Sequence, residues 1–235
     1  MASEKQVRGK HPTEDVMYDR LVGAIVDKHL RPGEHLNEAK LAEVHGVPRS
    51  RVRRVLERLR DESVVTFELN RGAFVSRPTV EEARHVYEAR REIELVVVRL
   101  VCERATAKDI AVLRRHLERE EKAYRDRKPS VNRISGDFHS LLARMARNPV
   151  FEKLLASLIH RWVLIQSVYE RTTGALCFTD EHVRIVEHIA ARNAEAAVSE
   201  LAHHFDHIIA SIDLTRDRRS EVDIYEAPDP TRLAS

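Results

Sequence analysis

Cysteine is nearly absent. Cys102 and Cys177 are the only two in 235 residues, too few for a disulfide framework. The opening residues, Met-Ala-Ser-Glu-Lys-Gln-Val-Arg, contain no apolar signal core, and no apolar run approaches the roughly 18–20 residues that cross a bilayer. A reducing, cytoplasmic setting with no membrane partner is the expectation. Glycine (7) and proline (8) are scarce, which leaves little room for long loops or many strand turns. Glycine-rich phosphate loops, dinucleotide fingerprints and repeats of roughly 20–50 residues are all missing. What remains is a highly charged chain, 33% Asp, Glu, Lys and Arg, with 43% hydrophobic residues. It is long enough to bury one large core or two small ones, and its pattern is mainly helical.

Net charge is also small, at +2, so the whole chain is not a polycation. Its distribution is uneven. Residues 1–78 hold 15 Lys and Arg against 12 Asp and Glu, whereas residues 79–235 hold 25 against 26. The excess is concentrated in Arg49-Ser-Arg-Val-Arg-Arg-Val-Leu-Glu-Arg-Leu-Arg60. Val52, Val55, Leu56 and Leu59 recur at helical spacing and form one apolar face, while six arginines fall outside it. Such a helix can pack on a small domain and present charge to a polyanion. Alone, it reads equally well as a solvated helix; its neighbours decide.

Residues 1–12 read as a loose arm. Thr13 is placed to cap a helix carrying Val16, Met17, Leu21, Val22, Ile25 and Val26. Pro32-Gly33 makes a turn. Asn37 caps a short helix to about His45, expected to bury Leu41, Ala42 and Val44, and Gly46 stops it. The arginine helix starts at about Pro48. Two helices across so short a turn, the second basic, are the helix-turn-helix pattern, whose second helix enters the major groove. Two β-prone runs, 64–69 and 73–76, flank Asn70-Arg71-Gly72 and predict a hairpin, with Gly72 free to take positive φ. A hairpin directly after a helix-turn-helix is a wing, and Arg71 at its tip can reach a minor groove or phosphates.

Residues 21–76 resemble the winged-helix domain of the GntR superfamily of bacterial transcription regulators. The resemblance rests on Leu30-Arg-Pro-Gly-Glu-His-Leu-Asn-Glu, Leu41-Ala-Glu, Gly46-Val-Pro-Arg-Ser, Val52-Arg53 with Leu56, and Asn70-Arg-Gly-Ala-Phe-Val. Family members often carry Thr-Pro where Ser50-Arg51 stand and Glu where Arg54 stands, so this chain adds charge at both places.

From Thr79, which opens the capping-box pattern Thr-Val-Glu-Glu, the sequence is helical almost to Leu214. The expected helices lie near 79–104, 107–127, 130–147, 150–171, 180–192 and 194–213. This half resembles the all-helical FCD effector domain of the FadR subfamily. The matches are Val86-Tyr-Glu-Ala-Arg-Arg-Glu-Ile-Glu, Phe138-His139 followed by Arg147-Asn148-Pro149, Glu181-His182, and Leu201-Ala-His-His204-Phe205. The organisation is thus an arm (1–12), a winged helix-turn-helix (13–78), an all-helical effector-binding and dimerisation domain (79–214) and a polar tail (215–235).

Among 13 histidines, His139, His182 and His204 each lie in an expected helix beside apolar residues. Buried imidazoles need partners, and three that converge can hold a divalent metal with coordination positions left open. Hydrogen-bonded core or surface histidines are the plainer reading of spacing alone. The resemblance implies the metal site, because FCD domains commonly bind a metal through histidines at these positions. Three imidazoles suit Zn, or Ni, better than Mg or Ca. The family's further Asp ligand, one turn before the first histidine, is here Ser135, a weak ligand or a hydrogen bonder beside the site. His203 should face elsewhere, and His207 can lie near the same surface. Arg90 matches the Arg of the family's Glu-x-Arg motif; it either grips an effector carboxylate or pairs with Glu88, Glu94 or a neighbouring helix. Trp162 and Tyr169 either line the pocket or pack the core.

The reading that joins these features is a ligand-responsive, sequence-specific transcription regulator rather than an enzyme. Arg49, Ser50, Arg51, Arg53 and Arg54 would contact bases and phosphates, and Arg71 and Gly72 would place the wing. A homodimer would bind a pseudo-palindromic double-stranded operator, controlled by a small organic acid at the metal-containing helical domain. One rival is a helical metal-dependent enzyme with a basic nucleic-acid-binding module. It lacks a His-Glu-x-x-His sequence or an obvious general base beside the histidines. Another is a non-specific nucleic-acid-binding protein, which would show a large salt slope and little sequence preference.

Overall fold

The computed structural model describes residues 12–27, 29–126, 131–170 and 179–215. The expected arm and tail lie outside them, apart from Pro12 and Thr215, as does Cys177. Two large hydrophobic cores follow one another among the described residues, with a small third cluster at Ala123, Val131 and Ile134. The first is built by α1 (Pro12–Val26), β1 (His35–Leu36), α2 (Glu38–His45), α3 (Arg49–Asp61), β2 (Val65–Glu68) and β3 (Gly72–Val75). The second is built by α4 (Val80–Arg104), α5 (Ala107–Arg125), α6 (Val131–Met145), α7 (Pro149–Tyr169), α8 (Thr179–Ala190) and α9 (Ala194–Ala210). The mainly α class and the winged helix-turn-helix followed by a helical bundle are as the periodicity predicts. No helix among the described residues is long and apolar enough to cross a membrane.

Local chemistry sets the elements of the first core. The Asn37 side chain accepts from the Lys40 N–H at 3.0 Å, and Gly46 ends α2 in the left-handed region at φ 62°. Only three residues, Gly46, Val47 and Pro48, separate α2 from α3. On α3 the four apolar residues Val52, Val55, Leu56 and Leu59 are all buried. Each contributes about 1.5–3 kcal/mol relative to an exposed position. Val65 pairs with Val75 and Glu68 with Gly72, so the wing loop is Leu69-Asn70-Arg71. Gly72 has φ 91°, and the His35 ring lies against it, so a side chain there would be both strained and crowded.

The structure departs from the sequence reading at four places. Pro12 opens α1, so Thr13 sits inside the first turn instead of capping it. Val44 is 68% exposed, because α2 lies at the edge of its core and packs through Leu41 and Ala42, with Val47 just beyond it. A third strand, β1, pairs antiparallel with β3; at two residues it is too short to show alternation. Finally, Thr79 caps α4 by accepting from the Glu82 N–H at 2.8 Å, but the Glu82 carboxylate turns away to Arg161 on α7. The reciprocal capping box is formed instead at the start of α5, by Thr106 and Asp109.

The two cores share helix α7. Leu164 is buried within the first and its neighbour Ile165 within the second. Beside Leu164, a polar knot ties α7 to the end of α3. Tyr18 Oη donates to Glu62, the residue that ends α3, and lies 3.1 Å from His160 Nδ1, which is itself 3.1 Å from Glu62 Oε2. Burial alone would raise the Glu62 pKa, but hydrogen bonds from His160 and Tyr18 outweigh it and hold it below the usual carboxylate range. Arg58 closes the knot, its guanidinium 3.6 Å over the Tyr18 ring. Next to it, a groove of about 1390 Å³ opens between α1, α6 and α7.

Candidate nucleic-acid interface and metal centre

The apolar face of α3 is pressed into the first core, which leaves its arginines on the outside. They are not equivalent. Arg49 and Arg53, one turn apart, are exposed, and Arg53 lies 3.6 Å from Glu57 across an open surface. Ser50 is exposed between them, and Arg51 is half-buried. Arg54 reaches back to α1, with Nη2 2.5 Å from Glu14 Oε1, and Arg58 pairs with Asp15 at 2.9 Å. Pro48 supplies no side-chain cap and the first turn has no acid, so the N-terminal end of α3 is left electropositive. On the wing, Arg71 folds back on Glu68 and over the Phe74 ring at 5.1 Å. Leu69, which the sequence reading passed over, is 89% exposed at the tip.

The sharing of Arg54 between α1 and the exterior leads to an expected result. Glu14→Gln frees Arg54, so affinity for any DNA rises a few-fold and the salt dependence steepens by about one counterion per Arg gained. The fold loses less than about 1 kcal/mol, because a pair this exposed is worth little. Anisotropy titrations at two salt concentrations check this; unchanged binding would mean that Arg54 stays turned away from DNA.

Inside the second core, His139 (α6), His182 (α8) and His204 (α9) converge. His204 Nε2 lies 3.3 Å from His139 Nε2 and 3.3 Å from His182 Nε2. Each Nδ1 is held from behind by a carboxylate: His139 by Glu94 at 2.5 Å, His182 by Glu120 at 2.9 Å, and His204 by Glu181 at 2.6 Å. Phe138 stacks on the His182 ring at 4.0 Å. All three histidines and all three glutamates are buried.

The electrostatics follow from this packing. Burial pushes His139 down to about 4, with Glu94 opposing and Arg90 assisting, so its imidazole is neutral at neutral pH. His204 is likewise driven well below the usual histidine range, first by burial and then by His182 and His139. Burial would raise Glu94, but Arg90 and His139 outweigh it and hold it at about 2. A neutral imidazole whose Nδ1–H points to a carboxylate turns a lone pair outward from Nε2. Such lone pairs on His139 and His204, with the His182 Nε2 beside them, repel unless a cation lies among them. The edge of a nitrogen tetrahedron around a cation at 2.0–2.1 Å is about 3.3 Å. The donor set, the spacing and the carboxylates behind each ring therefore fit a divalent transition metal.

The remaining sequence candidates sit beside this centre. Ser135 hydrogen-bonds Glu120 and helps keep it ionised, so it supports the glutamate behind His182. Arg90 is 2% exposed, with Nε 2.6 Å from Glu94 Oε1 and its guanidinium 5.3 Å from the Phe205 ring centre. Its terminal nitrogens make no hydrogen bond among the described residues. Trp162 and Tyr169 belong to the core; Tyr169 donates to the Pro78 carbonyl at 3.0 Å, while the buried Trp162 Nε1 has no partner among the described residues. His203 is exposed, and His207 binds the second oxygen of Glu181. The sequence reading offered Glu94 as a partner for Arg90, which it is, and quoted Glu181 beside His182, but it missed that Glu94, Glu120 and Glu181 stand behind the three histidines. The signal was there: Glu120 continues the buried stripe Leu113, His116 and Leu117, and Glu94 stands one turn before Val97 and Val98. A carboxylate on an apolar stripe needs a buried partner.

A winged helix coupled through a shared helix to a bundle with a buried polar centre is the plan of a DNA-binding regulator that senses a ligand. Residues 13–75 match the gntR family of bacterial regulatory proteins, and residues 85–207 match the FCD domain. The chain belongs to the GntR family of transcription regulators, with a C-terminal FCD domain. It is 32% identical over 196 residues to the Nta operon transcriptional regulator of Aminobacter aminovorans, covering 80% of this chain and 90% of that protein. It is 29% identical over 195 residues to the HTH-type transcriptional regulator YdhC of Bacillus subtilis strain 168, covering 81% and 86%. Escherichia coli McbR/YncC has the same fold, with a TM-score of 0.77 at 19% identity, over 86% of this chain and 97% of that one.

Proposed function

We propose that this regulator is a homodimer that binds a pseudo-palindromic operator and is controlled by a small organic acid at a zinc-containing centre, with nickel as the alternative metal. The observation that carries the reading is the meeting of three imidazoles, each braced by a glutamate, in the core of the FCD domain. His139, His182 and His204 hold the metal, which supplies a Lewis-acidic point for a carboxylate. Arg90 offers its terminal nitrogens to the same carboxylate while Glu94 fixes its Nε, and Ser135 acts through Glu120. This is a binding centre rather than a catalytic one, and the chain works in the cytoplasm.

At the other end, Arg49, Ser50, Arg51 and Arg53 of α3 read the operator in the major groove, and Arg54 joins them when Glu14 releases it. Arg71 and Gly72 place the wing. The domain limits follow the two cores, 13–78 and 79–214. A change around His139 on α6 or Arg90 on α4 is passed to α7, which packs on both helices, and through His160 and Leu164 to α1 and the end of α3. Operator affinity then changes because the spacing of the two recognition helices in the dimer is fixed by DNA. The test is a titration of small mono-, di- and tricarboxylates into the zinc-loaded protein bound to an operator selected from random DNA. One class of acid is expected to change affinity roughly 5–150-fold. If every acid leaves affinity unchanged, the effector reading fails while DNA binding stands.

A further inference from the structure

Outside the inner centre, α9 carries a second group of metal-ligating side chains. His203 and His207 are one helical turn apart and share a face, with ring centres 4.2 Å apart. Both are exposed. Facing them is Glu181, in the first turn of α8, whose Oε1 accepts from His207 Nδ1. A donor atom of each of Glu181, His203 and His207 lies within 4.8 Å of the others. The same carboxylate spends its other oxygen, Oε2, on His204 at 2.6 Å, so Glu181 stands between the buried histidines and the exposed pair.

We propose that Glu181, His203 and His207 form a second, solvent-facing site for a divalent first-row transition metal, separate from the inner three-histidine centre. Two imidazoles and one carboxylate are the donors such ions prefer, and two imidazoles at i and i+4 need no rearrangement of backbone to meet one cation. The carboxylate is held by α8 and by His204, so it is presented at little entropic cost. Arg184, whose pKa is raised first by Glu200 and also by the nearby Glu181, is already engaged by Glu200 at 2.6 Å. A metal entering here takes the place of the proton on His207 Nδ1 and breaks the His207–Glu181 hydrogen bond, and the bound neutral ring then carries its proton on Nε2. The rest of the coordination sphere faces solvent. The outer site therefore exchanges faster than the inner one and binds more weakly. Because Glu181 serves both, loading the outer site alters how firmly His204 is braced.

Calorimetric titration of the full, chelator-stripped chain with zinc chloride tests this. Two equivalents per chain are expected, the second weaker. His203→Ala and His207→Ala are each expected to weaken only the second, by about tenfold or more. Both positions are exposed, so the fold and the first equivalent are retained. Co(II) in place of zinc gives an independent readout: a visible band that both substitutions reduce by the share belonging to the second equivalent. A single equivalent in the unaltered chain overturns the proposal, as does a second equivalent that survives both substitutions. A chain that loses the first equivalent and keeps the second refutes the inner centre and leaves this one standing.

Discussion

His182→Ala is expected to destabilise the FCD domain by about 3–5 kcal/mol and to remove the inner centre's share of its response to chelators. The His182 ring is fully buried, stacked on Phe138 and bonded through Nδ1 to Glu120. Removing it leaves the Glu120 carboxylate in the core with Ser135 and the nearby His116 for company. It also removes one of three donors, and metal binding that stabilises only the folded state is lost with it. In a thermal melt this is a drop of roughly 6–20 °C for a chain of this size. Chelation of the unaltered protein should lower its melting temperature in the same direction, while the His182→Ala protein should keep only the smaller response of the weaker outer site. A drop on His182→Ala with no response of the unaltered protein to chelator would show that the histidines are core residues and nothing more.

The second large effect lies in the recognition helix. Arg53→Ala is expected to cost about 1–3 kcal/mol of operator affinity per copy if Arg53 grips a base edge. A symmetric dimer incurs that loss twice. The folded chain should be unaffected, because Arg53 is 64% exposed at its side chain and its one ion pair among the described residues, with Glu57, spans 3.6 Å. Measuring affinity for the operator and for unrelated DNA separates the two roles open to it. A base contact lowers the first and spares the second. A phosphate contact lowers both and reduces the salt slope by about one. An Arg53→Ala protein that binds the operator as tightly as the parent would remove this residue from the interface.

Much of the fold was legible because it rests on short-range chemistry. Asn37, Gly46, Pro48 and Thr79 mark helix ends through their own side chains or backbone, and the apolar spacing of α3 names its buried face outright. The three histidines could be picked out by the apolar residues beside them. What could not be read was pairing across the chain. Glu94 sits 45 residues from His139, and Glu120 sits 62 from His182. No local rule links such positions. The role of Arg54 was obscured for the same reason: its partner, Glu14, lies 40 residues away on a helix that looks merely amphipathic. Strand β1 escaped because two residues carry no period.

The knot of Tyr18, Glu62 and His160 has a bearing on how such proteins can be recombined. Two of its members belong to the DNA-binding unit and the third to the effector unit, and Leu164 fills a gap in a core that is not its own. The boundary between the modules is therefore not the stretch of chain that joins them but a surface whose two sides were fitted to each other. A chimera cut at Pro78 would keep both folds and lose their communication, unless positions 160 and 164 travelled with the winged helix they serve.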